Sequence, residues 1–174
     1  LRVVDLLAND GKGLNLCYEV RMGILCHTGP QLPETLEGRI IRFADRIAYI
    51  NHDIDDAVRA GVLSNDDIPK DISEILGTTH GQRIDALTRD LIHSSMDQPD
   101  IMMSPEVSSA MERLRQFMFE RVYRNPMAKS EERKAPDILL RLFEYYVKNP
   151  DQLPDEESTR GDSVERRAVD YVAG

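Results

Sequence analysis

The sequence predicts an all-α fold, a helical bundle, on three observations. Apolar residues recur at helical spacing along most of the chain. Between these stretches stand the residues that start and stop helices, namely Ser, Thr, Pro, Asn and Gly. No alternating run flanked by a tight-turn dipeptide reads as a strand pair, and no internal repeat stands out.

The elements follow in order. LRVVDLL reads as the end of a helix, closed by Asn9-Asp10-Gly11 and Gly13, and a second apolar stretch runs from about Leu14 to Leu25 before His27-Thr28-Gly29-Pro30. A long helix is entered through Pro33-Glu34-Thr35 and stopped by Gly61, with Ile40, Phe43, Ile47, Ile50, Ile54 and Val58 on one stripe. A short helix ends at Gly77, and a longer one runs from about His80 to Met96. Ser104 as N-cap and Pro105 as first helical residue open the next helix, which carries MERLRQFMFERVY and stops before Pro126. Two more are expected, from about Ser130 to Lys148 and from about Ser163 onward. The stretch between Pro150 and Ser163 is linker-like but too short to divide domains, so residues 1–174 read as a single helical fragment.

Composition narrows the function. With 41% hydrophobic and 30% charged residues the chain is globular. It has no apolar run of the roughly 18 residues that a membrane span needs, so no membrane partner is expected. The net charge of −9 argues against broad nucleic-acid binding, which relies on neutralising phosphates with Lys and Arg. A small phosphorylated ligand stays open, since a few well-placed cations and a divalent metal suffice for it. Cys17 and Cys26 have no CxxC spacing and read as reduced cysteines of a cytoplasmic protein. The chain begins at Leu1 inside an apolar pattern and stops at Gly174 straight after a helical stretch, so a piece of a longer polypeptide is expected.

The polar face of the long helix carries more chemistry than solubility requires. Asp45, Tyr49, His52 and Asp56 lie opposite the isoleucines, with Asp53 at their edge. A carboxylate on a helix can bind a hard divalent cation as one of several ligands, and Arg46 stands beside it to meet phosphate oxygens. The plainer reading of the strip is a hydrated acidic face with Tyr49 half-buried. Arg115 and Tyr123 are eight residues apart, about two turns, and share a face of the helix in LRQFMFERVYR. The bland alternative there is a surface arginine and a core tyrosine. For His27 and His93 a structural role is the commoner one.

EGRIIRFADRIAYINHDIDDAVRAG resembles the segment that carries the last metal ligand in the HD-domain deoxyguanosinetriphosphate triphosphohydrolases. LRVVDLL, GLNLCYEVRMGILCHTG, ILGTTHGQRIDALTRDLI, LRQFMFERVYRNP and VDYVAG resemble further blocks of that family in its order, so the likeness covers nearly the whole chain. It implies an α-helical HD domain that hydrolyses a dNTP, dGTP foremost, to deoxynucleoside and tripolyphosphate. It also implies a divalent cofactor, Mg²⁺ or Mn²⁺, and a homo-oligomer. Asp45 matches the family's last metal ligand. Arg46, Tyr49 and Asp53 match positions that approach the phosphates, the sugar face and the sugar 3′ hydroxyl. Arg115 and Tyr123 match an arginine and a tyrosine touching phosphate and sugar. His80 and Arg83 fall in a family block without a role.

One departure is large. The family's first His, its His-Asp pair and its catalytic histidine are not found ahead of Asp45; His52-Asp53 follows Asp45 on the same helix and is not that motif. The expectation is therefore an N-terminally incomplete, partial HD domain with no catalytic residue of its own, inactive by itself. The competing readings are another HD-domain nucleotide phosphohydrolase or phosphodiesterase, and a non-catalytic acidic helical module for regulation or assembly.

Overall fold

The computed structural model describes residues 1–124, 134–154 and 161–173. Its main helices are α1 (Tyr18–Leu25), α2 (Leu36–Arg59), α3 (Lys70–Leu76), α4 (His80–Ser95), α5 (Pro105–Met118), α6 (Lys134–Lys148) and α7 (Val164–Ala173), and the described residues form no strand. The all-α expectation holds. The start expected at Ser130 for the helix that ends at Lys148, the middle of the linker-like stretch between Pro150 and Ser163, and the final Gly174 lie outside the described residues.

The chain groups into two compact units, one of Leu1–Arg21 with Pro126–Gly174 and one of Met22–Asn125. In the first unit, a single π-helical turn over Val3–Leu7 replaces the expected helix end. Asn9, Asp10 and Gly11 then all adopt positive φ, as their place in the stop signal suggests. Gly13 is required by space as well: a Cβ there would stand 2.3 Å from the Asp5 carbonyl oxygen. Arg2 holds Asp170 through Nε and Nη2 at 2.5–3.0 Å and reaches Asp162 at 2.6 Å. Arg21 grips Asp5 with two bonds of 2.8 Å. α6 and α7 pack together, with the Tyr146 and Tyr171 rings edge to face at 4.8 Å.

The second unit is built on α2. Thr35 caps it by accepting a hydrogen bond from the Gly38 amide at 3.2 Å, and the chain leaves at Gly61 with φ of 69°. Ile47, Ile50, Ile54 and Ala57 of α2 pack into one core with Ile72 and Leu76 of α3, Leu87 of α4, and Ala110, Leu114 and Met118 of α5. Each fully buried aliphatic side chain contributes roughly 1.5–3 kcal/mol. Ile40 departs from the expected stripe at 45% exposed, because the first turns of α2 bury Gly38 and Arg42 instead. Gly38 permits a close approach of Pro33 and of Gly23 in α1; a Cβ there would meet Pro33 Cβ at 2.6 Å.

Arg83 of α4 is buried at 1% exposure. Its Nε donates to Asn51 Oδ1 at 2.8 Å, its Nη1 to the Thr78 carbonyl at 3.2 Å, and Asn51 in turn donates to the Ile47 carbonyl at 2.8 Å. This chain of donors ties α4 to the middle of α2, the part that carries the polar strip. Burial lowers the Arg83 pKa, with Asp55 opposing from 3.9 Å.

Candidate functional site

A cleft of about 480 Å³ lies in the second unit. One wall is α2, from which Asp45, Arg46 and Tyr49 face the space; the other is α5 with Met111, Glu112 and Arg115, flanked by Met103 before it and Tyr123 in the turn after it. The helical period brings the α2 residues to one side, because positions four apart stack on one face. Thr28 also lines it.

Two of the expected residues meet beside the cleft, which Tyr123 lines and Asp53 does not. Tyr123 donates its hydroxyl hydrogen to Asp53 Oδ2. Burial, followed by that bond to a carboxylate, holds the Tyr123 phenol well above its ordinary pKa. Asp53 itself is half-buried on the flank of α2. Arg115 does not reach α2 but is held on its own helix, donating from Nε and Nη2 to Glu112 at 3.0 and 2.6 Å. Those bonds, aided by Arg46, keep the Glu112 carboxyl below the usual glutamate range against the opposing effect of burial. Tyr49 is 63% exposed, more open than the half-buried alternative allows.

The pairing of Arg115 and Tyr123 on one side depends on local backbone geometry. α5 ends at Met118 and gives way to a π-helical turn over Phe119–Tyr123, with the Arg124 amide bonded to the Phe119 carbonyl at 3.1 Å. A wider turn advances the chain by a smaller angle per residue. Tyr123 is thereby brought closer in line with Arg115 than a regular α-helix would leave it.

Asp45 is half-buried, lines the cleft, and makes no hydrogen bond or ion pair among the described residues. Its carboxylate could supply one ligand to a hard cation. Among the described residues no three His, Cys, Asp or Glu side chains are grouped to hold a metal ion. His27, just past the end of α1, has Nδ1 2.6 Å from the Ile24 carbonyl, and His93 on α4 has Nδ1 2.7 Å from the Arg89 carbonyl. Cys26 is buried and Cys17 exposed, and both are free thiols. No helix among the described residues is long and apolar enough to cross a membrane.

Sequence reasoning did not single out Arg39, Arg42 or Glu112. Arg42 is 9% exposed and gives its guanidinium to the carbonyls of Cys26, Gly29 and Gln31 at 2.6–3.3 Å. Arg39 bonds Asp100 at 2.6 Å. The available signal was the spacing Arg39, Arg42, Arg46, which puts three guanidiniums on one face of α2.

Residues 101–174 match the phosphohydrolase-associated domain. Over its whole length the chain is 48% identical to a deoxyguanosinetriphosphate triphosphohydrolase-like protein of Caldanaerobacter subterraneus subsp. tengcongensis, covering 52% of that protein. A protein of the same description from Clostridium perfringens is 40% identical over all of this chain and 54% of its own. One from Geobacter sulfurreducens is 35% identical over 99% of this chain and 59% of its own. The chain thus spans about half the length of the curated relatives it matches.

Proposed function

Since the chain belongs to the family of deoxyguanosinetriphosphate triphosphohydrolase-like proteins, we propose that it forms one wall of the nucleotide site in a metal-dependent dNTP triphosphohydrolase, acting on dGTP first. The observation that carries this is the cleft itself: Asp45, Arg46 and Tyr49 on one side, Arg115 and Tyr123 on the other, with Asp53 held beside it by Tyr123. The reaction would divide the dNTP between its 5′ oxygen and α-phosphorus, giving deoxynucleoside and tripolyphosphate.

Asp45 offers one carboxylate to a divalent cation, Mg²⁺ or Mn²⁺, as one of several ligands that such a site needs. Such an ion, when bound, would polarise the α-phosphate and lower the pKa of the attacking water. Arg46 meets the phosphates as an exposed cation. Arg115 does so as well, once its guanidinium turns from Glu112 toward the ligand. The exposed ring of Tyr49 lies against the sugar, where a 2′ hydroxyl would crowd it. Asp53, one oxygen fixed by Tyr123, presents its other oxygen to the sugar 3′ hydroxyl. By itself the 174-residue chain is inactive on this reading, and the complete protein is a cytoplasmic homo-oligomer.

The test uses the full-length protein with Mn²⁺ and dGTP, following tripolyphosphate and deoxyguanosine beside the Asp45→Ala variant. Tripolyphosphate from the wild type alone is expected, with Asp45→Ala lowering kcat by about a hundredfold or more, as for loss of an electrostatic anchor. If folded, metal-loaded protein makes no tripolyphosphate from any of the four dNTPs, the reading fails.

A further inference from the structure

Where α4 begins, three side chains that can carry positive charge surround one carboxylate of α2, and none of the four lines the cleft. His80 is the first residue of α4, and its place is set locally by a reciprocal cap. Thr79 accepts from the Gln82 amide, and the Gln82 side chain accepts from the Thr79 amide. The His80 ring lies nearly parallel to that of His52 on α2, with centroids 5.9 Å apart. Its Nδ1 stands 2.7 Å from Asp55 Oδ2, without the alignment of a hydrogen bond. One turn along α4, Arg83 brings Nη2 to 3.9 Å from the other oxygen, Oδ1. Asn51 and the Thr78 carbonyl occupy the Nε and Nη1 of Arg83, but its Nη2 and the His80 Nδ1 are both buried with no hydrogen-bond partner among the described residues.

The other carboxylates nearby are taken. Asp53 accepts from Tyr123, Asp56 pairs with Arg59, and Asp85 of α4 pairs with Arg89. On α3, which also packs against α4, Asp71 pairs with Arg113. Neither Lys70 nor Glu74 of α3 comes within ion-pair distance of Asp55, His80 or Arg83 among the described residues. His52 is exposed and has no ion pair there either. Asp55 is thus the one carboxylate that His80 and Arg83 share. A buried donor without an acceptor is costly, so each of the two competes for it. The competitors differ in kind: a guanidinium keeps its charge, whereas histidine changes its own between about pH 5 and 8.

We infer that Asp55 is a proton-directed clasp between α2 and α4, held by His80 in acid and by Arg83 in base. With the imidazole protonated, the carboxylate stays at Nδ1, the arrangement of the 2.7 Å contact, and Arg83 Nη2 goes without an acceptor. Once the proton leaves, that pair has lost its cation. Oδ1 then closes the 3.9 Å gap to Nη2, and the tie moves one turn along α4. Asp55 is 40% exposed and His80 38%, so both side chains have room to turn. His52 is the competing place for the proton, because its ring lies on the His80 ring but faces no carboxylate. The clasp makes the hold of α4 on the Asn51–Asp55 segment of α2 depend on pH, and it is independent of the nucleotide reading.

The experiment is an NMR titration of the full-length protein, labelled with ¹³C in histidine and ¹⁵N in arginine, from about pH 5.5 to about pH 8.5. The reporter is the buried Arg83 Nε–H, which donates to Asn51 Oδ1 at 2.8 Å and so exchanges slowly with water. Its signal should move with pH at the same midpoint as the His80 ring. That movement should be lost in His80→Gln and in Asp55→Asn, and kept in His52→Gln. All three variants replace partly or fully exposed side chains, and Arg83 with its bonds to Asn51 and Thr78 is left in place, so the fold is retained. An Arg83 signal that stays fixed while His80 titrates overturns the clasp. So does a movement that persists in His80→Gln or Asp55→Asn, since the proton or the carboxylate would then be another. Loss of the movement in His52→Gln with its survival in His80→Gln would make His52 the titrating group, which equally overturns it. Turnover is not measured, so failure of dNTP hydrolysis and failure of the clasp are read separately.

Discussion

Tyr123 gives Asp53 a hydrogen bond that fixes one carboxylate oxygen. The bond and the burial around it keep the phenol protonated far above the ordinary value of about 10. A raised folded pKa means that Tyr123 contributes stability fully below the unfolded value, and that this is lost as pH rises through the folded one. Spectrophotometric titration of the tyrosines should therefore find one group ionising later than the rest, and Asp53→Asn should bring it back toward the others. Tyr123→Phe should cost roughly 1 kcal/mol of stability by urea denaturation, because Asp53 can turn to water. The pair Asn51 and Arg83 is a harder case, because both are buried. Asn51→Leu strips the Arg83 Nε of its acceptor, whereas Arg83→Leu removes the charge itself. Asn51→Leu should be the worse of the two, at about 3–5 kcal/mol. In the double mutant the costs should fall short of their sum; simple additivity would mean that the two side chains are not coupled.

At the scale of the element, α2 matters most, since it carries core, cap and site on different faces. Its buried positions run from Gly38 and Arg42 through Ile47, Ile50 and Ile54 to Ala57, and its open positions include Arg46 and Tyr49. Gly38 and Gly81 are both helical glycines, yet a Cβ at Gly38 strikes Pro33 and one at Gly81 meets nothing. Gly38→Ala should destabilise by about 1–3 kcal/mol, as overpacking does, and should loosen the turn held by Arg42. Gly81→Ala should be neutral or stabilising by up to about 1 kcal/mol. Thermal melts of the two variants check the contrast, and equal effects would contradict the packing described for α2. The π-helical turn after α5 is the second decisive element, because it sets where Tyr123 points relative to Arg115.

Over the whole molecule, the two compact units are held by different forces. The Met22–Asn125 unit has one continuous aliphatic core, and Leu114→Ala within it should cost about 2–5 kcal/mol by chemical denaturation. The unit of Leu1–Arg21 with Pro126–Gly174 relies more on ion pairs. The Arg2 guanidinium holds the Asp170 carboxyl below its usual range, and Arg21 does the same to Asp5. Depressed folded pKa values mean stability that is present above the unfolded carboxylate value of about 3.9 and lost as pH falls through the folded ones. Hydrogen exchange followed by mass spectrometry from pH 6 down to about pH 3 should show α7 losing protection first, and Arg2→Gln should remove much of that pH dependence. Equal loss of protection in α4 and α7 would count against it.

Much of this was legible in the residues. Thr35, Ser104 and Pro105 announced their helices, and Asn9, Asp10, Gly11 and Gly61 ended theirs in left-handed backbone, because caps and stops are local chemistry that needs no partner. The strip of Asp45, Arg46, Tyr49 and Asp53 was readable as well, since helical period alone aligns it. Other features could not be read that way. Ile40 belongs to the apolar pattern yet is exposed, and Arg42, Asn51 and Arg83 are polar yet buried, because burial is decided by what another helix brings. The bond from Tyr123 to Asp53 joins residues seventy positions apart, and no local rule can supply such a contact. Sequence by itself determined the class of fold, the helix ends and the chemical character of one face of α2, all of them short-range consequences of side-chain type. Only the tertiary structure decided which residues face each other across the cleft and which charges go unpaired, because those depend on how helices distant in the chain pack.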